Sequence, residues 1–289
     1  MKTIALIDAD SFLYRAGFAL EEELDNGTFH VDLRNAKDFL DGLIDGILFN
    51  TECDDYELWL TGKENFRYKI AEESLKDSYK FNRKESRKPD KFDEMWDYLR
   101  IHHKAKVTPF CEADDVVVTK KTESPDVYVL CAIDKDVLYQ TEGTHYNYGK
   151  DEFVTVSKEE SIYYAYLQTL TGDTTDGYKG CFRIGPAKAV AILGVPYGNG
   201  KMLKDLLQKA KVKPEKIKEL LKGTQYDERQ MWARVLCNYR RSKQSPQEAL
   251  ATMRLANMHQ LVRDHKGKLK LNLWTPVKKG ECQIDALQF

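Results

Sequence analysis

The chain has 289 residues, 42% of them hydrophobic and 31% charged, enough to bury a sizeable core and to divide into two domains. Its formal net charge of -1 hides a division: residues 1–198 carry 25 positive against 37 negative side chains, and residues 199–279 carry 20 against 7. That balance excludes a uniformly charged protein and points to an acidic body joined to a basic region whose partner is a polyanion, bound in a salt-dependent way.

The first element is the apolar run Thr3-Ile4-Ala5-Leu6-Ile7, a strand that ends in Asp8 with Asp10 beyond it. This run is too short for a signal peptide, and no later stretch reaches the length that spans a membrane. Residues 34–50 place Phe39, Leu43, Ile44, Ile47 and Leu48 on one helical face. Further strands are expected near 56–61, 105–110 and 127–133, with helices between them. Alternating strands and helices imply an α/β body with a mostly parallel sheet.

Residues 63–104 are long, charged and aromatic for a simple crossover. They interleave Lys76, Lys80, Arg83, Lys84, Arg87, Lys88 and Lys91 with Phe66, Tyr68, Tyr79 and Phe81. Rings among cations suit single-stranded nucleic acid, because rings stack on bases while cations meet phosphates. The competing reading is a helical hairpin whose aromatics pack on the sheet. Its place after the second strand puts the segment over the sheet edge and favours the first reading.

The acids then recur: Glu112 with Asp114 and Asp115, Asp134 with Asp136, and Asp173 with Asp176. If the strands are parallel, these clusters and Asp8 converge in the crevice outside the carboxyl ends of the sheet. Gathered carboxylates repel one another and call for cations, and hard oxygen ligands favour magnesium or manganese over zinc. The six histidines, His102 and His103 included, show no zinc spacing.

From residue 160 onward helix signals dominate, with a helical face over 158–170, a break at Gly194–Gly200 and a basic helical stretch from Lys209 to Lys222. Gly180, Gly185 and Pro186 flank Arg183 before a helix over Ala187–Leu193, a turn whose backbone can approach a phosphate together with Lys179 and Lys188. Six cysteines, at 53, 111, 131, 181, 237 and 282, form no CxxC pair and read as reduced thiols of a cytoplasmic protein. The terminal Gln283–Phe289 is apolar enough to dock on a replication partner such as a sliding clamp, or to pack back on the chain itself.

The ordered series Leu6-Ile7-Asp8-Ala9-Asp10, Tyr79-Lys80-Phe81-Asn82-Arg83-Lys84, Glu112-Ala113-Asp114-Asp115, Ile133-Asp134-Lys135-Asp136 and Gly172-Asp173-Thr174-Thr175-Asp176-Gly177 resembles the bacteriophage 5′ to 3′ exonucleases of the flap-endonuclease family. The resemblance covers roughly residues 4–194. It implies a PIN-like sheet with flanking helices and a helical arch (1–160, with the arch at about 63–104). A mainly helical DNA-binding region (161–289) would follow, carrying a helix-hairpin-like element at about 171–194.

By position, the resemblance also implies two Mg2+ or Mn2+ ions. Asp8, Glu112 and Asp114 match ligands of the first, and Asp134, Asp136, Asp173 and Asp176 match acids around the second. Asp10 and Asp115 match supporting partners of those ligands. Lys80 and Arg83 match catalytic cations at the foot of the arch, and Tyr79 an aromatic that stacks on the terminal base. Lys84, Lys179, Arg183, Gly185 and Lys188 match DNA contacts, with K+ held by backbone carbonyls at the helix-hairpin-like element. The substrate implied is a 5′ end of duplex or flapped DNA, with RNA–DNA hybrids as a further partner. A phage-encoded enzyme would work in the host cytoplasm.

One position departs from the family: Gly62 stands where it has a further metal-site Asp, so the first ion should be held by one ligand fewer, with Glu64 able to reach back. Two other classes compete. A haloacid-dehalogenase-like phosphatase accounts for Asp8, Asp10 and the Gly172–Asp176 block but leaves Glu112, Asp114, Asp134, Asp136 and the basic region without roles. A non-catalytic DNA-end-binding protein with a decayed metal site has only Gly62 in its favour.

Overall fold

The computed structural model describes residues 2–75, 79–81, 87–198 and 200–276. Strand β1 (Ile4–Asp8) leads into α1 (Asp10–Leu20), and a short ribbon of β2 (Glu22–Glu23) and β3 (Phe29–His30) precedes α2 (Leu33–Thr51). Asp32 caps α2, its Oδ1 accepting from the Arg34 and Asn35 amides at 2.8 and 3.0 Å. The spacing of Ala36, Leu40, Ile44 and Ile47 then buries one face of that helix.

Next come β4 (Asp55–Leu60) and α3 (Phe66–Ile70), which runs into a π-helical turn at Ala71–Leu75. They are followed by α4 (Phe92–Ile101), β5 (Lys106–Val107), α5 (Ala113–Glu123), β6 (Tyr128–Cys131) and α6 (Lys135–Tyr139). The hairpin β7 (Gly143–Asn147) and β8 (Glu152–Val156) closes the α/β part.

The sheet order is β5-β4-β1-β6-β7-β8, parallel throughout except for the antiparallel β7–β8 pair. In register, Asp8 lies opposite Trp59, and Ile7 lies between Leu58 and Cys131. The carboxyl ends of β1, β4 and β6 therefore open on one edge. The strands read as continuous apolar runs because both faces are covered. One face packs Ala5, Ile7 and Leu58 against α1, α2 and α4, and the other packs Leu6 and Leu130 against Val117, Val118, Val137 and Leu138 of α5 and α6. Each such aliphatic side chain contributes about 1.5–3 kcal/mol by leaving water.

After the sheet come α7 (Lys158–Thr171), the pair β9 (Gly172–Asp173) and β10 (Tyr178–Lys179), and α8 (Pro186–Leu193). Helices α9 (Lys201–Lys209), α10 (Pro214–Leu220), α11 (Glu228–Arg241) and α12 (Pro246–Ala256) follow, and the hairpin β11 (Leu261–Arg263) and β12 (Leu269–Leu271) ends the described chain. Helices α7 to α12 share a second core around Tyr163, Leu167, Leu193, Leu207, Val235 and Met253. No helix among the described residues is long and apolar enough to cross a membrane.

Three expectations change. The sheet gains β7 and β8, because Phe153-Val154-Thr155-Val156 alternates inward Val with outward Phe and Thr across the turn from β7. Residues 92–101 do not stand out in an arch: α4 buries Met95 and Leu99 in the first core against α1 and α2. The stretch Lys209–Lys222 is not one helix, because α9 ends at Lys209 and α10 starts at Pro214, a residue whose fixed φ and missing amide suit a helix start.

Candidate active site

A cleft of about 630 Å³ lies at the carboxyl edge, lined by Asp8, Asp10, Glu112, Asp114, Asp134, Asp176, Lys80 and Lys135. Each acid reaches it by a local rule. Asp8 is the last residue of β1 and its Oδ1 accepts from the Asp10 amide at 3.2 Å. Asp10 opens α1, and its Oδ1 accepts from the Thr61 amide at 3.0 Å, tying β1 to the end of β4. Glu112 caps α5, with Asp115 closing the capping box at 3.2 Å, so Asp114 sits in the first helical turn facing Asp8. Asp134 caps α6 by accepting the Asp136 amide at 2.8 Å. Asp176 is placed by Asp173, which ends β9 and accepts the Thr175 and Asp176 amides at 2.7 and 3.2 Å. Asp173 and Asp136 lie behind the lining, bridged by Lys135.

Two groups result. In the first, Asp8 and Asp114 face each other, each lying within reach of the other's charge. Burial and then the charge of Asp10 push Asp8 up to about 7, while burial with Asp8 and Asp134 holds Asp114 well above the usual carboxylate range. Burial also raises Asp10. In the second group, burial and Asp134 push Asp136 up to about 7. Burial acts the same way on Asp173, but Lys135 outweighs it and holds that group low.

Basic side chains stand between the acids. The Lys80 ammonium contacts Glu112 Oε1 and lies 3.5 Å from Asp176 Oδ1. Burial opposes ionisation of Glu112, yet Lys80 and Arg67 bring it down to about 2. Lys135 Nζ donates to Asp136 Oδ1 at 2.7 Å and to Asp173 Oδ2 at 2.9 Å. Among the described residues, no three acidic, His or Cys side chains already form a metal-binding group. The donor set nonetheless fits a hard divalent cation: all-oxygen ligands, buried, with three carboxyls raised first by burial and then by their neighbours' charge, a repulsion that such an ion would relieve.

Arg67 of α3 was not singled out by the sequence. It is fully buried and forks onto Asp115, Nη1 to Oδ2 at 2.5 Å and Nη2 to Oδ1 at 2.6 Å, with Nη1 also 3.4 Å from Glu112 Oε2. Its Nε donates to the Leu255 carbonyl at 3.1 Å, and Nη2 to that of Asn257 at 3.3 Å. Asp115 thus faces the arginine beneath the cleft rather than the cleft itself. A lone arginine in a charged stretch gives no sequence signal of this.

Tyr79 corrects an expectation. Its ring is 1% exposed and its hydroxyl donates to Asp176 Oδ2 at 2.8 Å and reaches Glu112 Oε2 at 3.1 Å, so it has no face to offer a terminal base. Exposed rings nearby belong to Tyr14, Phe18 and Tyr68. Lys80 itself has φ +54°, with its amide bonded to the Asp176 carbonyl at 2.8 Å. Arg83, Lys84 and Lys76, together with Cys282 and the 283–289 tail, lie outside the described residues.

At Gly62 the structure gives a reason for the missing acid. A Cβ there would stand 2.0 Å from the Thr108 carbonyl oxygen, a clash with backbone that cannot swing aside. Glu64 does not take its place: it is exposed and does not line the cleft.

The expected phosphate-binding turn forms a separate depression of about 420 Å³ lined by Phe182, Arg183, Lys188, Arg241 and Lys243. Gly185 caps α8, Arg183 has φ +59°, and Lys188 Nζ donates to the Arg183 carbonyl at 3.2 Å. Lys179 is exposed on β10 at the flank of a smaller cavity beside Tyr178. Arg241 and Lys243, at the end of α11, were not anticipated because they lie some 60 residues away in sequence.

No family model matches the chain, and no curated protein is significantly similar to it. Solved structures are similar in shape. The bacteriophage T5 flap endonuclease, in a pseudo-enzyme product complex with DNA and metal ions, matches at 14% identity over 89% of this chain and 90% of that one, with TM-score 0.53. The T5 5′-exonuclease with bound zinc matches at 13% identity over 87% and 97%, with TM-score 0.48. The catalytic core of Rad2 in complex with DNA matches at 17% identity over 76% and 72%, with TM-score 0.44. The first of these likenesses is one of fold.

Proposed function

We propose that this chain, which shares the fold of the T5 flap endonuclease, is a metal-dependent 5′ nuclease hydrolysing phosphodiester bonds near the 5′ ends of duplex or flapped DNA. The observation that carries the reading is the cleft itself: acids from four distant stretches of sequence meet at one sheet edge with Lys80 and Lys135 among them. A phosphatase needs one nucleophilic Asp and would leave Glu112, Asp114 and Asp176 unexplained.

Asp8, Glu112 and Asp114 would hold one divalent ion, Mg2+ or Mn2+, and Asp134, Asp136, Asp173 and Asp176 the second. Bound there, the ions supply a nucleophile from water at neutral pH and charge compensation for the phosphate. The chain's own groups do the rest. Lys80, at the mouth of the acid group, places a positive charge where negative charge grows on the phosphate oxygens. Arg83 and Lys84, outside the described residues, share that role on this reading. Asp10 fixes the end of β4 through Thr61, and Arg67 with Asp115 fixes the start of α5, so Glu112 and Asp114 keep their aim. Lys179, Arg183, Gly185 and Lys188 grip the duplex backbone, which needs no reading of base identity. Backbone carbonyls of this turn would hold K+.

Residues 1–160 then serve as the catalytic body and 161–289 as the region that holds nucleic acid. RNA–DNA hybrids are a further substrate on this reading, and a replication protein a partner for the 283–289 tail. The free thiols among the described residues suit a reducing cytoplasm.

The test is incubation with end-labelled duplex DNA and magnesium beside a small phosphomonoester. Released nucleotides that disappear with chelator are the expected result. Phosphate release from the monoester would favour a phosphatase, and binding without turnover would leave a DNA-end-binding protein.

A further inference from the structure

The lysines of α9 and α10 take no part in the cleft chemistry or in the packing of their own helices. Met202, Leu203, Leu207, Ile217 and Leu220 bury the inner faces in the helical core, and folding needs nothing from the outer ones. Between residues 201 and 222 the sequence places eight lysines against three acids. Lys216 pairs with Glu219 at 2.7 Å, but Lys209, Lys211, Lys213, Lys218 and Lys222 are exposed and reach no carboxylate among the described residues. Uncompensated like charges in a row are mildly unfavourable in the free protein, so this surface suits an anion with repeated charges.

Two connections say which anion. Lys209 lines the same cleft as Asp8, Lys80 and Asp134, so the row begins at the candidate active site. Both α9 and α10 pack on α8, and the segment after α10 meets the carboxyl end of that helix, the Val195 amide donating to the Thr224 carbonyl at 3.0 Å, so the row leads away from the cleft across the helical region. We propose that Lys209, Lys211, Lys213, Lys218 and Lys222 form a phosphate track, along which the backbone of a bound nucleic acid leaves the cleft across the helical region. This rests on the nuclease reading above. The track binds without base preference and releases one counterion for each phosphate met, so its contribution fades with salt.

The experiment replaces all five lysines by Gln in the full chain. A control replaces five exposed lysines elsewhere: Lys2, Lys106, Lys158, Lys266 and Lys268. Binding to fluorescent duplex and single-stranded DNA is measured from 50 to 300 mM KCl with Ca2+ in place of Mg2+, and thermal melting confirms that both variants fold. If each lysine meets one phosphate, the slope of log affinity against log salt flattens by about 4.5 on duplex or about 3.5 on a single strand, and affinity at 50 mM falls by about tenfold or more. The arm with the larger loss identifies which form lies on the track. A variant indistinguishable from the control, while the unmodified chain binds and cleaves, overturns the track alone. An unmodified chain that neither binds nor cleaves DNA overturns the nuclease reading and the track with it.

Discussion

The acid cleft and the lysine row are both highly charged, and they treat charge in opposite ways. In the cleft, carboxylates are buried, so each is answered by a hydrogen bond, a shifted proton affinity or a cation such as Lys80, Lys135 or Arg67. In the row the charges stay in water, and Lys209, Lys211, Lys213, Lys218 and Lys222 meet no carboxylate among the described residues. Burial multiplies every electrostatic error, so the cleft must be built to fixed geometry, whereas the row needs only a sign and a direction.

Substitutions can break this contrast or sharpen it. The largest effect is expected from Asp134→Asn or Asp173→Asn, which should abolish hydrolysis while leaving DNA affinity intact; label release and anisotropy measured side by side check it, and unchanged turnover in both would refute the assigned pocket. Next, Arg67→Ala leaves Asp115 buried without its partner and should cost about 3–5 kcal/mol in urea unfolding. Lys218→Gln, on the row, should stay within about 0.5 kcal/mol of the parent. Equal costs for those two would erase the distinction drawn between the regions.

Lys80→Ala should slow cleavage by about 100-fold, the scale of one lost electrostatic donor, and weaken binding much less. A normal rate with poorer affinity would show that Lys80 only positions substrate. The smallest change expected within the cleft region is that of Gly62→Asp. It restores an acid to the family's position, yet it should destabilise by about 1–3 kcal/mol rather than tighten metal binding, because its Cβ meets the Thr108 carbonyl. Isothermal titration with Mn2+ showing a tighter site in that variant would contradict the steric account.

Much of the site was legible because the sequence states both halves of it. Apolar runs such as Ile4–Ile7 declare buried parallel strands, and an acid at the end of such a run lands at the sheet edge whatever else the fold does. The helical face of α2 was legible for the same reason of period. What escaped was decided by tertiary contact. Arg67 looks like any surface cation until α5 and the 255–257 carbonyls close over it. Tyr79 sits among cations, as a stacking aromatic would, but its hydroxyl is drawn inward by Glu112 and Asp176. The β7–β8 hairpin is short and carries Phe153 on its outer side beside Thr155, so its polar–apolar alternation is weak against the helical signals around it.

The carbonyls of Leu255 and Asn257 come from the end of α12, while Gln140 receives the Met258 amide at 3.0 Å and donates to the Ala256 carbonyl at 2.7 Å. The floor under the acids is thus finished by residues synthesised more than 100 positions after the last of the α/β strands began. During translation, a polypeptide that has emerged only as far as Asp176 holds every carboxylate of the cleft but lacks the strap that seats Arg67. The pocket is assembled only once that late segment has left the ribosome, and a fragment cut before α12 would hold its acids on an unfinished base.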